Sequence, residues 1–122
     1  MGVDLMLLPM TVDHDGKTAV TYTTLEIERR HELWPLVRSL PSAPVPNSFE
    51  TLLSTEGPGD WDLWVVGNTQ TDSYGTPLRC VLAEHLYSLV DHPAVQDNHV
   101  NRAVWAYLAQ LPVDMRVALY WY

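Results

Sequence analysis

A chain of 122 residues with 47% hydrophobic content suits one folded domain and excludes an intrinsically disordered composition. Fifteen acidic against seven basic residues leave a formal net charge of −8, which opposes direct binding to nucleic-acid phosphates and favours basic surfaces as partners. No stretch reaches the roughly 18 consecutive apolar residues of a membrane helix, so the sequence reads as that of a non-membrane protein.

Residues 3–10 alternate as a strand does, yet both faces are apolar: Val3, Leu5 and Leu7 on one, Met6, Leu8 and Met10 on the other. Such a strand belongs at a sheet centre covered on both sides, with Asp4 as a polar intrusion near its start. Asp13, His14, Asp15 and Gly16 read as a hairpin turn in which Gly16 can take positive φ. The same residues resemble the opening of a calcium loop, but the closing Glu would fall inside the next strand pattern, which favours a plain turn. Residues 18–27, rich in Thr, Val, Tyr and Ile, predict a second strand.

Helical spacing follows at Leu33, Leu36, Val37 and Leu40. Pro35 is tolerated only near a helix start, so this helix is short and stops before Pro41. Prolines 41, 44 and 46 then mark a connector within the domain. Residues 48–54 and 61–66 predict two strands joined by a turn over 55–60, and 67–75 reads as polar loop. Thr76-Pro77 carries a helix-start signal. Leu78, Val81, Leu82, His85, Leu86, Leu89 and Val90 continue it at helical spacing. Residues 78–81 read equally as a strand with a helix from Ala83, so residues 77–82 stay open at this point. Pro93 ends the element. Residues 98–111 form the clearest helix, with a stripe of Val100, Ala103, Val104, Tyr107, Leu108 and Leu111 and with Trp105 on its flank. Residues 115–122 predict a final apolar strand that neighbours the first. The order ββαββααβ predicts a single α+β domain over residues 1–122: a mainly antiparallel sheet of about five strands with two or three helices.

Few constellations suggest chemistry. His85, His92 and His99 recur every seven residues, but Pro93 breaks the helix that would align them, so no metal site is expected. The lone Cys80 cannot form an internal disulfide and points to a reduced, cytoplasmic setting. With His85 and Asp91 it could form a nucleophilic set, yet no family-type cysteine signature surrounds it, and a small buried hydrophobe is the preferred reading. Arg102 opposes the dipole of its helix, which suggests a carboxylate partner, Asp97 or Asp114, with a solvated side chain as the alternative. No phosphate-binding glycine loop or Gly-x-Ser-x-Gly elbow occurs, so no cofactor is expected.

The charge is unevenly placed. Residues 39–78 contain no Lys or Arg but carry Glu50, Glu56, Asp60, Asp62 and Asp72, with Phe49, Trp61, Trp64 and Tyr74 among them. One reading is a solvated hairpin with ordinary core aromatics. The other is a face that docks on a basic partner through Glu50, Glu56, Asp60, Trp61, Asp62, Trp64, Asp72 and Tyr74.

The two ends of the chain, GVDLMLLPM and NRAVWAYLAQLPVDMRVALYWY, resemble small proteins encoded by phages and prophages. The likeness covers the ends alone and is carried by core-type residues, so it implies a shared fold more than a shared chemistry. Together with the acidic charge, it implies a non-catalytic inhibitor of a host defence complex, of the anti-CRISPR kind. Such a protein occupies a basic surface meant for nucleic acid, in the host cytoplasm. Two alternatives stand beside it. One is a small enzyme with a site between the sheet and the last two helices, using His85, His99 or Arg102. The other is a phage structural or assembly component.

Overall fold

The computed structural model describes residues 2–12, 14, 18–21, 23–46, 48–54, 64–68 and 71–122. In chain order they form β1 (Leu5–Pro9), β2 (Thr11–Val12), β3 (Thr18–Thr21), β4 (Leu25–Glu26), α1 (Leu33–Arg38), β5 (Ala43–Pro44), β6 (Ser48–Ser54), β7 (Trp64–Asn68), β8 (Arg79–Leu82), α2 (Ala83–Tyr87), α3 (Pro93–Gln96), α4 (His99–Ala109) and β9 (Arg116–Trp121). The fold is α+β. A five-stranded sheet runs β4-β1-β9-β8-β5 with every pair antiparallel, and a second sheet runs β2-β3-β6-β7.

The apolar ends of the chain meet at the centre. Strand β1 pairs with β9 along its whole length, from Leu5 opposite Trp121 to Pro9 opposite Val117. Both faces are covered, as the two-sided pattern requires. Leu5, Leu7, Val117 and Leu119 face a helix layer in which Leu33, Trp34, Leu86, Val95, Trp105 and Leu108 are buried. Leu8, Cys80 and Ala118 face the second sheet, where they meet Ala19 and Phe49. The molecule is therefore layered helix, sheet, sheet around two cores. Helices α1, α2 and α3 have six, five and four residues, too short to stand alone, and are held by this burial rather than by intrinsic propensity.

Several elements depart from the sequence reading, each for an identifiable reason. The first two predicted strands are one long hairpin whose arms cross from one sheet to the other. Near its open end Met6 pairs with Glu26 and Leu7 with Leu25; beyond the corner Thr11 pairs with Val20 and Val12 with Ala19. Three residues separate Leu7 from Thr11 and four separate Val20 from Leu25, so the second arm carries one extra residue at the corner. That bulge lets a strand turn out of one sheet into another. Pro9, which has no N–H to give a ladder, ends β1 there, and the buried Thr21 hydroxyl donates to its carbonyl. The predicted turn residues Asp13, Asp15 and Gly16 lie outside the described residues.

Residues 77–82 resolve in favour of the strand. Helix α2 starts at Ala83 without a side-chain cap, because its first amides are met by tertiary partners: Ala83 donates to Met115 and Glu84 to Val113, at 2.8 and 3.1 Å. The predicted strand over 61–66 is found as β7 from Trp64 and runs on to Asn68, while residues 61–63 and the 55–60 turn lie outside the described residues. Among the described residues four helices stand where two or three were expected, since Pro93 opens α3 instead of only closing its predecessor.

The last helix sits rotated from its predicted stripe. Its buried residues are Asn101, Val104, Trp105 and Leu108, while Ala103 is exposed and Tyr107 is 42% exposed. Trp105, placed on the flank by sequence, is central. The face is centred on a polar residue that apolar periodicity does not count. Asn101 is fully buried; its Oδ1 accepts from Glu28 N at 2.8 Å, and its Nδ2 lies 3.2 and 3.0 Å from the carbonyls of Glu28 and Ala94. Asn98 caps the helix by accepting from Asn101 N.

Candidate functional site

The stretch without Lys or Arg contributes strands to both sheets. It contributes β5 at one edge of the five-stranded sheet, then β6 and β7, of which β7 is the terminal strand of the second sheet. Strands β6 and β7 pair antiparallel from Glu50 opposite Asn68 to Ser54 opposite Trp64. Glu50 and Trp64 thus belong to the backbone of this hairpin. Glu56, Asp60, Trp61 and Asp62 fall in its connector, outside the described residues.

Asp72 and Tyr74 occupy the loop that follows, and the structure gives them different roles. Asp72 is only 8% exposed. Its Oδ1 accepts from Tyr74 N at 2.9 Å and from Thr76 N at 3.1 Å, and its own amide donates to the Thr76 carbonyl. This is a side-chain turn of the kind Asp favours, completed by Gly75 at φ +78°, a conformation that suits glycine. Asp72 is thus committed to its own loop and is not available as a surface carboxylate. Ser73 ties the loop to the end of β9 through the Trp121 carbonyl. Tyr74 is left 56% exposed on an anchored support.

The histidines predicted as a seven-residue series are distributed over three elements. His85 lies in α2, His92 caps α3 by accepting from Ala94 N at Nδ1, and His99 is exposed at the start of α4. Arg102 does not meet Asp97 or Asp114; its guanidinium donates to the Gln96 carbonyl at 2.8 Å. A backbone carbonyl on the preceding helical turn satisfies it where a carboxylate was expected. The space between the five-stranded sheet and the last helices, proposed from sequence as an enzyme site, is occupied by Leu86, Val95, Trp105 and Leu108.

Cys80 and His85 do come together, though not as a nucleophile and its base. Both line an open cleft of about 200 Å³ where β8 runs beyond its short partner β5, with Arg116 and Ser42 among the other walls. The junction of strand and helix at Leu82–Ala83 brings them to one place; a shared helix would have separated them. Asp91 is not part of this cleft. The Cys80 thiol is 3% exposed, with Sγ 3.8 Å from the Pro44 carbonyl. Burial pushes it above its ordinary range, against the opposing pull of the Arg116 and Arg79 guanidiniums. It is therefore a protonated thiol at neutral pH and a poor nucleophile. The folded protein is expected to resist iodoacetamide while the urea-unfolded chain alkylates fully, as followed by mass spectrometry. Labelling of the folded protein at the unfolded rate would contradict this assignment.

Among the described residues, no helix is long and apolar enough to cross a membrane. Comparison with protein-family models, with curated proteins and with solved structures finds no match to this chain. The residues that sequence reasoning missed are Arg116 and Ser42, which are far apart in the chain and carry no motif. Only the pairing of β8 with β9, Leu82 opposite Arg116, brings this arginine to the cleft.

Proposed function

We propose that this is a non-catalytic binding protein that docks the acidic, aromatic-bearing stretch of residues 39–78, which supplies β6 and the sheet-edge strand β7, onto a basic protein surface. One observation carries this reading. Residues 39–78 hold five acidic residues and no Lys or Arg, and this same stretch supplies a contiguous pair of strands ending at a sheet edge. Carboxylates that are close in sequence reinforce each other's field, and a net charge of −8 steers encounter with cationic partners. Tyr74, exposed on a loop pinned by Asp72 and Ser73, supplies a rigid amphipathic ring of the sort enriched at interfaces. Glu50, Glu56, Asp60, Trp61, Asp62 and Trp64 complete the proposed contact set; Asp72 leaves it for its structural role.

The likeness of the chain ends to phage-encoded proteins directs the choice of partner. It favours the nucleic-acid-binding surface of a host defence complex in the cytoplasm, where an acidic protein competes with the phosphate backbone. The test is a pull-down from host lysate at low and high salt, followed by an affinity measurement on the captured partner. Reversing Asp60 and Asp62 together to Lys is expected to weaken binding by about tenfold or more and to flatten its salt dependence. Binding that is equally tight and equally salt-sensitive in the double variant would dismiss the acidic edge as the docking surface.

A further inference from the structure

The cleft beside β8 presents an arginine in an acidic protein. Its walls include Arg116 and His85 but no Asp or Glu. The cleft along Pro112 and Met115, which Arg116 also borders, contains Asp114, and the groove between α2 and α4 contains Glu84; the groove beside Arg102 has no carboxylate either, but its arginine is held by the Gln96 carbonyl.

Arg116 also differs from every other arginine in the chain. Arg29 is paired with Asp4 and Arg30 with Glu32. Arg38 lies over the Trp121 ring, Arg79 donates to Ser42, and Arg102 donates to Gln96. Among the described residues, the exposed Arg116 guanidinium has no hydrogen bond, ion pair or ring contact. His85 has its Nε2 3.9 Å from Glu84 Oε1, while its Nδ1 is buried with no hydrogen-bond partner among the described residues. The remaining walls, Pro41, Ala43, Val81 and Leu82 among them, are mostly apolar.

We propose that this cleft binds a small monocarboxylic acid with an apolar body, the carboxylate on Arg116 beside the His85 ring and the hydrocarbon against Val81, Leu82 and Pro41. The planar guanidinium fork matches a carboxylate with two parallel hydrogen bonds. A bare phosphate dianion fits less well, because one arginine and one histidine leave most of its oxygens facing apolar walls. The size sets the class of ligand: at about 200 Å³ the space is below that of pockets for drug-sized molecules. This site is separate from the acidic edge and stands or falls without it.

Benzoate is the probe, titrated into isotope-labelled protein while the backbone amides are followed by NMR. Saturable shifts are expected at Ala43, Val81, Leu82, His85 and Arg116. Benzamide, which keeps the ring without the charge, and inorganic phosphate, which keeps a charge without the ring, should each bind at least about tenfold more weakly. Arg116→Gln alters an exposed side chain, and Ala43→Glu places a carboxylate at an exposed position on the cleft wall; each should reduce benzoate affinity by about tenfold while the remaining amide spectrum is unchanged. Absence of saturable shifts up to the solubility limit would overturn the proposal. So would equal binding of benzamide or of phosphate, or benzoate binding that survives both substitutions.

Discussion

Asn101→Ala is expected to cost about 3 kcal/mol of stability, a large share of what a domain of this size has in reserve. The side chain is fully buried and joins two segments that are distant in sequence: the backbone of Glu28, beyond β4, and the Ala94 carbonyl of α3. Alanine leaves the Glu28 amide and two carbonyls without these partners, the Ala94 carbonyl in a buried place, and each such loss costs on the order of 1 kcal/mol or more. Asn101→Asp retains the acceptor for Glu28 N but turns the donor side into an oxygen facing two carbonyls, so it should be no better than alanine. Urea midpoints by far-UV circular dichroism, with an unchanged slope, measure the loss. Hydrogen exchange gives the specific signature: the Glu28 amide, protected in the native protein, should exchange faster in the alanine variant than its neighbours account for. A midpoint shift worth less than about 1 kcal/mol would mean that this network is replaceable.

Asn101 also shows why part of the fold was hidden in the sequence. The register Asn101, Val104, Trp105, Leu108 has ideal helical spacing, but a search for apolar periodicity skips its first member and selects Val100 and Ala103 instead. The face is therefore turned by about one residue, roughly 100°. Strand β1 was legible because its two apolar faces have only one physical solution, burial from both sides. The short helix α1 was legible because Pro35 can occupy only its first turn. The sheet switch near Pro9 and Thr21 was not, because a strand that changes sheets keeps the same β-type composition throughout; only the register reveals the added residue. The helix start at Ala83 was equally silent, since tertiary carbonyls from Val113 and Met115 do the work of a cap.

The candidate sites divide in the same way. Charge is a property of composition, so the lysine- and arginine-free stretch is visible without coordinates. Its exception is Asp72, where the local pattern Asp-Ser-Tyr-Gly-Thr carries the turn signal, and the carboxylate serves backbone amides in place of solvent. The cleft beside β8 depends on which strands are neighbours and on how short β5 is, and neither is encoded locally. Arg116 and His85 lie 31 positions apart and meet only through the pairing of β8 with β9.

Trp105→Ala is expected to have the largest effect of any single truncation in the helix layer, about 4 kcal/mol. The ring is 1% exposed, the largest of the fully buried side chains among the described residues, and lies in the core shared by α2, α4 and the sheet. Its Nε1–H donates to the Leu86 carbonyl at 2.9 Å, tying α4 to α2. Removal opens a cavity that rigid neighbours on the sheet cannot fill, and it cuts the one side-chain hydrogen bond between the two helices. The two contributions separate with Trp105→Phe, which keeps most of the ring and loses the donor. Leu86 O still accepts from Leu89 N at 3.1 Å, so the carbonyl is not orphaned and the phenylalanine variant should cost only about 1–2 kcal/mol. Circular dichroism in urea is the appropriate measurement, since the substitution removes a fluorophore. Because α2 is only five residues long and is held by this packing, its amides should lose hydrogen-exchange protection before those of β1 and β9 in the alanine variant. Equal losses in the two variants would place the energy in the hydrogen bond and not in the packing, and a uniform loss of protection would show that the helix layer and the sheet unfold as one unit.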